Sequence, residues 1–455
     1  MRKIKIVVIG AGSATFGRGI IVDLMTSKKF KEFELVISLV DIDKVALDIM
    51  HSFANILKED YYTNCKIEAM TDRKKALPGA NYVITSVAKD RWQLWEKEFY
   101  IPIAYGFRHV FGENGGPGAA FHTLRSLHLM VPIAKDMEEL CPNALLINFT
   151  NPESRVCLGI TKLTNIKTVG LCHGAFTTLN MISQILEITK EDIEITIGGI
   201  NHFHWVLQMY NRSNRKDLYP KFRKRMQQSD YGLDSLTQRM FELFGLFTYP
   251  AASHIGEYVS FAYDIAGPVF PKWGIGKVAR IMGSKESLPS YIAEGKPGQP
   301  SYELWSKDQI EKIQQVVEGR SPLTKELIQP SGERAIPIIC DIEFDLKRRE
   351  LSVNVLNDNL AISNLPQDAI VEISAQVGAE GICPIKVGPL PEVLAAICRQ
   401  QISIQNLLIE AYRQRSKKHL LHALILEPVV DSIVRAEMMM EHLLKLEVDY
   451  LPELH

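Results

Sequence analysis

No run of eighteen or more uncharged apolar residues occurs in this 455-residue chain, and the C-terminal stretch from Leu420 to Val434 is broken by His422, Glu427 and Asp431. A membrane-spanning helix is excluded by length alone. Neither sign of charge is in surplus: 52 Lys+Arg stand against 53 Asp+Glu, a formal net charge of −1, which argues against a broad electrostatic grip on nucleic-acid phosphates. The seven cysteines (Cys65, Cys141, Cys157, Cys172, Cys340, Cys383, Cys398) include no Cys-x-x-Cys pair. An odd, scattered set does not make a secreted disulfide framework and points to a reducing cytoplasm. The first fourteen residues imitate a signal peptide, but the apolar run is short and Lys5 interrupts it. Internal repeats and low-complexity tracts are also lacking. What remains, 46% hydrophobic and 23% charged with 29 Gly and 22 Pro, is the composition of a folded enzyme large enough for more than one packed unit.

From Ile4 to about Leu171 short β-branched runs alternate with helical periodicity, which predicts βαβ units and a parallel sheet. The strand candidates are Ile4–Ile9, Leu35–Val40, Ile67–Met70, Tyr82–Val87, Ala144–Phe149 and Thr168–Leu171. Most are near-continuously apolar, as strands covered on both faces require. Asp43 followed by Ala46, Ile49, Met50, Phe53 and Leu57 predicts a capped helix that covers the sheet. After about Lys190 the texture changes: strands over Ile193–Tyr210, a polar basic helix from Asp217, and Gly- and Pro-containing loops through 266–302. Helical periodicity returns over the last sixty residues. The expected class is α/β, with a Rossmann-like domain over 1–195 and a helix-rich α+β domain over 196–455. The basic cluster Arg212, Arg215, Lys216, Lys221, Arg223, Lys224, Arg225 reads as a solvated helix face.

The first strand runs into Gly10-Ala11-Gly12-Ser13-Ala14-Thr15-Phe16-Gly17. A glycine turn at a helix start can hold a pyrophosphate on backbone N–H groups and the helix dipole. The third glycine of G-x-G-x-x-G is missing, since Thr15 stands there and Gly17 arrives two residues late. The second strand ends in Asp41, which suits the ribose diol of NAD and repels the 2′-phosphate of NADP.

Ligands in open parallel sheets sit at the carboxyl ends of strands, and three further clusters lie there. Gly112-Glu113-Asn114-Gly115-Gly116-Pro117-Gly118 can bring backbone close to a ligand and present Glu113 and Asn114. Asn148-Phe149-Thr150-Asn151-Pro152 offers two amides for sugar hydroxyls or a nicotinamide edge, or else an Asx turn before proline. Cys172-His173-Gly174 is read with Gly199-Ile200-Asn201-His202. Thiolate and imidazole suit a divalent metal, while by residue type alone a buried Cys and a core His are the plainer reading.

These motifs in this order, together with Ser253-His254-Ile255-Gly256-Glu257-Tyr258, Glu410-Ala411-Tyr412 and the stretch from Leu421 to Pro428, resemble the family 4 glycoside hydrolases, a known exception to two-carboxylate glycosidases. The resemblance implies NAD and Mn²⁺, with Cys172 and His202 as the protein's metal ligands and Gly10, Gly12, Ser13, Ala14, Thr15, Phe16 and Asp41 around the dinucleotide. It implies a glycosidase working by oxidation at C3 of the sugar, abstraction of the C2 proton, elimination, hydration and re-reduction. His173 is then the expected acid. Tyr258 is the expected base, with His254 and Glu257 in reserve. Glu113, Asn114, Asn148, Asn151, His254 and Glu257 are expected around the sugar. Cys-His-Gly resembles the α-glucuronidase branch, for which Arg91 and Arg334 are the expected carboxylate partners.

Other readings stay open: an α-galacturonidase, α-glucosidase or α-galactosidase of the same family, a 2-hydroxyacid dehydrogenase, and a non-catalytic NAD-binding regulator. The resemblance also implies a homodimer or homotetramer, acting on a small glycoside without nucleic-acid or membrane partners.

Overall fold

A computed structural model describes residues 2–61, 65–269 and 301–455. Six strands, β1 (Lys3–Ile9), β2 (Glu34–Val40), β3 (Cys65–Met70), β4 (Tyr82–Thr85), β5 (Leu145–Asn148) and β6 (Thr168–Gly170), pair in parallel in the order β3-β2-β1-β4-β5-β6. Each expected strand is present. Along β1 the side chains alternate between two cores: Ile4, Ile6 and Val8 face one, Val7 and Ile9 the other. A strand walled by helices on both sides has no solvent face, which is why its sequence is apolar at successive positions.

The helix Lys44–Tyr61 buries Leu47, Met50, Phe53, Ala54 and Leu57, the stripe its 3.6-residue spacing predicts. Asp43 caps it, accepting from the amides of Val45 (2.9 Å) and Ala46 (3.1 Å). Helix α1 (Phe16–Thr26) follows the first glycine turn.

The sheet does not end at β6. It continues antiparallel through β9 (Arg348–Leu356), β10 (Ile370–Gly378), β7 (Ile193–Ile200) and β8 (Phe203–Asn211), with β11 (Gly381–Pro384) paired to β10, giving eleven strands among the described residues. The β7–β8 pair was legible in the sequence; β9 to β11 were not. Of the expected loop stretch 266–302, residues 270–300 lie outside the described residues. The basic helix is Tyr219–Met226. Its neighbours pair off locally, Arg212 and Arg215 with Glu194 and Arg225 with Glu187, so the cluster is a partly neutralised surface.

The three C-terminal helices, Glu392–Gln414, Lys417–Leu426 and Ile433–Leu446, fold back onto helices of the first half, among them Pro117–Leu140. No helix among the described residues is long and apolar enough to cross a membrane. The seven cysteines are unpaired.

Candidate active site

The glycine turn closes tightly against its neighbours. Gly10 and Ala11 donate to the Val40 carbonyl (2.9 and 3.1 Å), and the Gly12 amide donates to Asp41 Oδ2 (2.8 Å). Ser13 Oγ accepts from the amides of Thr15 (3.3 Å) and Phe16 (3.2 Å). Gly10 has a φ of 92°, and a Cβ there would stand 2.1 Å from the Ser86 carbonyl oxygen. Gly17 resolves the imperfect motif: a Cβ on it would stand 2.1 Å from the Ala11 oxygen, so it performs the helix-against-turn packing that the third glycine performs in G-x-G-x-x-G. The first turn of α1 carries no acidic residue, which leaves its positive end unopposed for an anionic group. The turn, the helix end and Asp41 fit a dinucleotide.

The Gly112–Gly118 loop is held from beneath by two buried carboxylates. Glu257 Oε1 accepts from the amides of Glu113 and Asn114 (2.9 Å for the latter), and Glu427 Oε2 accepts from the Gly116 amide (3.1 Å). Glu257 was expected at the sugar; its carboxyl is instead committed to loop amides, and burial raises its pKa well above the carboxylate range. Asn148 is likewise held by its neighbours. Fully buried, it accepts from Thr85 Oγ1 (3.1 Å) and the Thr150 amide (3.0 Å) and donates to the Thr150 carbonyl (3.0 Å). This is the Asx turn. Asn151 does reach the site, donating to Glu113 Oε1 (3.2 Å), which also pairs with Arg91. Asn114 is buried, with its Nδ2 unpartnered.

Cys172 and His173 lie in the short connection between β6 and the helix Gly174–Leu186. Asn201 and His202 form the β7–β8 turn, and both polar side-chain atoms of buried Asn201 have no hydrogen-bond partner. His202 is buried, and its Nδ1 has no hydrogen-bond partner. Its ring lies 4.3 Å from that of His254 and 5.7 Å from that of Tyr249. Burial, then the neighbouring His254 and His204, hold the His202 pKa far below the usual range, so its imidazole is neutral. No group of three or more His, Cys, Asp or Glu able to hold a metal occurs among the described residues. The pair fits an open site in which further oxygens come from outside the protein.

His173 is half-exposed and its Nε2 lies 3.1 Å from Glu333 Oε1; that hydrogen bond raises its pKa. Glu333 is reached through a loop strapped to α1, with Ser331 donating from N (2.9 Å) and Oγ to Asp23, and Arg18 donating to the Leu327 carbonyl (2.9 Å).

Two more expectations change. Tyr258 is buried and its hydroxyl donates to the Asn201 carbonyl (2.9 Å); burial and Glu257 push its pKa well up. It supports the His202 turn. Arg334 forms a bidentate pair with buried Glu350 (Nε 2.9 Å, Nη2 2.9 Å), so, like Arg91, it is no free guanidinium.

Three residues escaped the sequence reading. Tyr249 stands between His202, His254 and Gly174, whose Cβ would meet its ring at 3.2 Å; burial, then Cys172, Glu372 and Glu113, raise its pKa. Glu333 is the second. Glu372 is the third, and its signal was a lone charge inside the apolar run Ile370-Val371-Glu372-Ile373.

A doubly wound sheet with a dinucleotide turn on one strand end, and a thiol, imidazoles and a tyrosine gathered at others, defines an enzyme of the dehydrogenase-like fold class. The family 4 glycosyl hydrolase profile matches residues 5–188, and that of the family's C-terminal domain matches residues 197–430. An α-galactosidase of Bacillus subtilis (strain 168) is 31% identical over 458 residues, covering 99% of both chains. An α-galacturonidase of Lachnoclostridium phytofermentans is 26% identical, covering 99% of this chain and 97% of the relative. Among solved structures, a 6-phospho-α-glucosidase from gut microorganisms in complex with NAD and Mn²⁺ superposes with a TM-score of 0.79 at 19% identity, covering all of both chains. The chain belongs to glycosyl hydrolase family 4 and is a glycosidase of that family.

Proposed function

We propose that the protein hydrolyses small α-glucuronides with NAD and a divalent metal, Mn²⁺ for preference. The observation that carries the cofactor reading is the buried, unpartnered Nδ1 of His202 beside the equally unpartnered side-chain amide of Asn201, on the same sheet whose glycine turn leaves a helix N-terminus unopposed. Gly10, Gly12, Ser13, Ala14, Thr15, Phe16 and Asp41 would hold NAD, and Cys172 and His202 the metal. When bound, NAD supplies a hydride acceptor at C3 and the metal a Lewis acid whose charge counters the negative neighbours of Tyr249.

Around them the chain's own residues move protons. Tyr249, as the phenolate that the charge of a bound metal would favour, takes the proton from C2 on its oxygen and becomes the neutral phenol, with His254 at its flank (ring centroids 4.8 Å apart). His173 donates a proton to the departing glycosidic oxygen. Glu113, Asn114 and Asn151 bind sugar hydroxyls from the loop that Glu257 and Glu427 fix. Cys172-His173-Gly174 resembles the α-glucuronidase branch, and a side chain at 174 would crowd the Tyr249 ring (3.2 Å) and touch His204 Cε1 (3.5 Å). Arg91, beside Glu113 at the site, is the candidate for the uronate carboxylate once that pair opens. A second reading, an α-galactosidase, is favoured by the 31% identity to such an enzyme.

The test is a panel of aryl α-glucuronide, α-galacturonide, α-glucoside and α-galactoside, assayed with and without NAD⁺ and after chelation. The α-glucuronide should be the preferred substrate, and activity should vanish when either cofactor is removed. Activity indifferent to both removals would sink the mechanism, and preference for another glycoside would sink the substrate. Cys172→Ser should abolish activity and leave NAD affinity unchanged.

A further inference from the structure

His202 has a φ of 64°, a left-handed conformation that is strained for a residue with a Cβ. It sits in the two-residue turn between β7 and β8, and two buried side chains hold that turn from opposite sides. Tyr258 donates its hydroxyl hydrogen to the Asn201 carbonyl (2.9 Å), and Glu372 Oε2 accepts from the His202 amide (3.1 Å). Glu372 comes from β10, in register with Gly199, and is fully buried.

No Lys or Arg pairs with Glu372 among the described residues. Its water is replaced by Ser352 Oγ, which donates to Oε1 (2.7 Å), and by the His202 amide; His204 Nδ1 lies 3.2 Å from Oε2 without hydrogen-bonding it. A buried carboxylate without a strong cation is costly, and removing its partners more so. Here one of the carboxylate's hydrogen bonds comes from the strained turn itself.

We propose that Glu372 is a positioning residue for metal binding: by accepting from the His202 amide, with Tyr258 on the neighbouring carbonyl, it keeps His202 in the left-handed conformation from which its imidazole would join Cys172 at the metal. Without this hold the turn relaxes toward negative φ, and the Cα–Cβ bond of His202 changes direction. The inference rests on the proposed Cys172–His202 metal pair and adds a residue on a strand distant in sequence. Supporting groups of this kind characteristically change metal affinity by about 10–100-fold.

The experiment uses the full chain. Mn²⁺ affinity is read from the free-Mn²⁺ EPR signal, and NAD⁺ affinity is measured in parallel as a control for the fold, in wild type, Cys172→Ser, Glu372→Ala, Glu372→Gln and Tyr258→Phe. Wild type should bind Mn²⁺ and Cys172→Ser should not; failure at that step overturns the metal site itself. Given that step, Glu372→Ala should weaken Mn²⁺ by about tenfold or more with NAD⁺ affinity held within about twofold. Glu372→Gln, which keeps an acceptor for the amide, should recover part of the loss. A loss below tenfold in Glu372→Ala, or Glu372→Gln as weak as Glu372→Ala, overturns the positioning role. If Glu372→Ala fails to fold, Tyr258→Phe decides: it removes one hydroxyl and keeps the packed ring, and a loss under about threefold overturns the proposal.

Discussion

At the scale of single residues, two tyrosines nine positions apart have different environments. Tyr258 belongs to a legible motif, yet its hydroxyl is consumed by a main-chain carbonyl. Tyr249 lies outside the motif and is brought to His202 by long-range pairing: Thr248 bridges Trp205 on β8, and its hydroxyl donates to the His204 carbonyl (2.7 Å). No local pattern encodes that bridge. If Tyr249 is the base, Tyr249→Phe should lower kcat by about 10²–10⁴-fold, the usual range for a removed general base, and abolish exchange of the C2 hydrogen with deuterated solvent. KM should change little, since the ring remains. Tyr258→Phe, by contrast, should act through metal affinity. Rapid C2 exchange in Tyr249→Phe would return the base role to His254.

At the scale of elements, the glycine turn was legible as a phosphate cradle, and the structure explains the departure from the motif. Thr15 occupies the third glycine position because the close approach falls two residues later, where Gly17 meets the Ala11 carbonyl. Gly17→Ala should push α1 off the turn. Overpacking of this sort costs about 1–3 kcal/mol, so NAD⁺ affinity should fall by roughly tenfold, as read by fluorescence titration, while Mn²⁺ affinity holds. Unchanged NAD⁺ affinity would show that the helix can shift without disturbing the cradle. The six parallel strands were visible because burial on both faces writes itself into sequence as continuous apolar runs. Strands β9 and β10 were hidden because Ser352, Asn354, Glu372 and Ser374, all buried, interrupt their apolar pattern with polar groups, of which Ser352, Glu372 and Ser374 find partners only across the folded sheet. The glycine loop was legible as a loop. Its supports, Glu257 and Glu427, were not readable as such, because what a carboxylate bonds to depends on elements more than a hundred residues away.

Across the whole molecule, the C-terminal helices are tied to the first half through buried charge. Glu447, at the end of the last helix, faces Glu98 beside Arg125, which donates to both Glu98 oxygens at 2.8 Å. Burial, then the charge of Glu98, raises the Glu447 pKa well above the carboxylate range, with Arg125 and Lys97 opposing; burial also raises that of Glu98. The folded state therefore holds protons that the unfolded chain releases near pH ~4.3. In that window the unfolded state binds fewer protons than the folded one, so the stability contribution of this cluster is fully present below the unfolded pKa and declines as pH rises toward the folded one. Glu447→Gln supplies a permanent neutral donor in place of the proton. Its melting temperature should match that of wild type at pH 5 and exceed it at pH 8. Parallel melting curves across that range would mean that Arg125 and Lys97 already neutralise both carboxylates, and that the two halves are held by an ion network rather than by a retained proton.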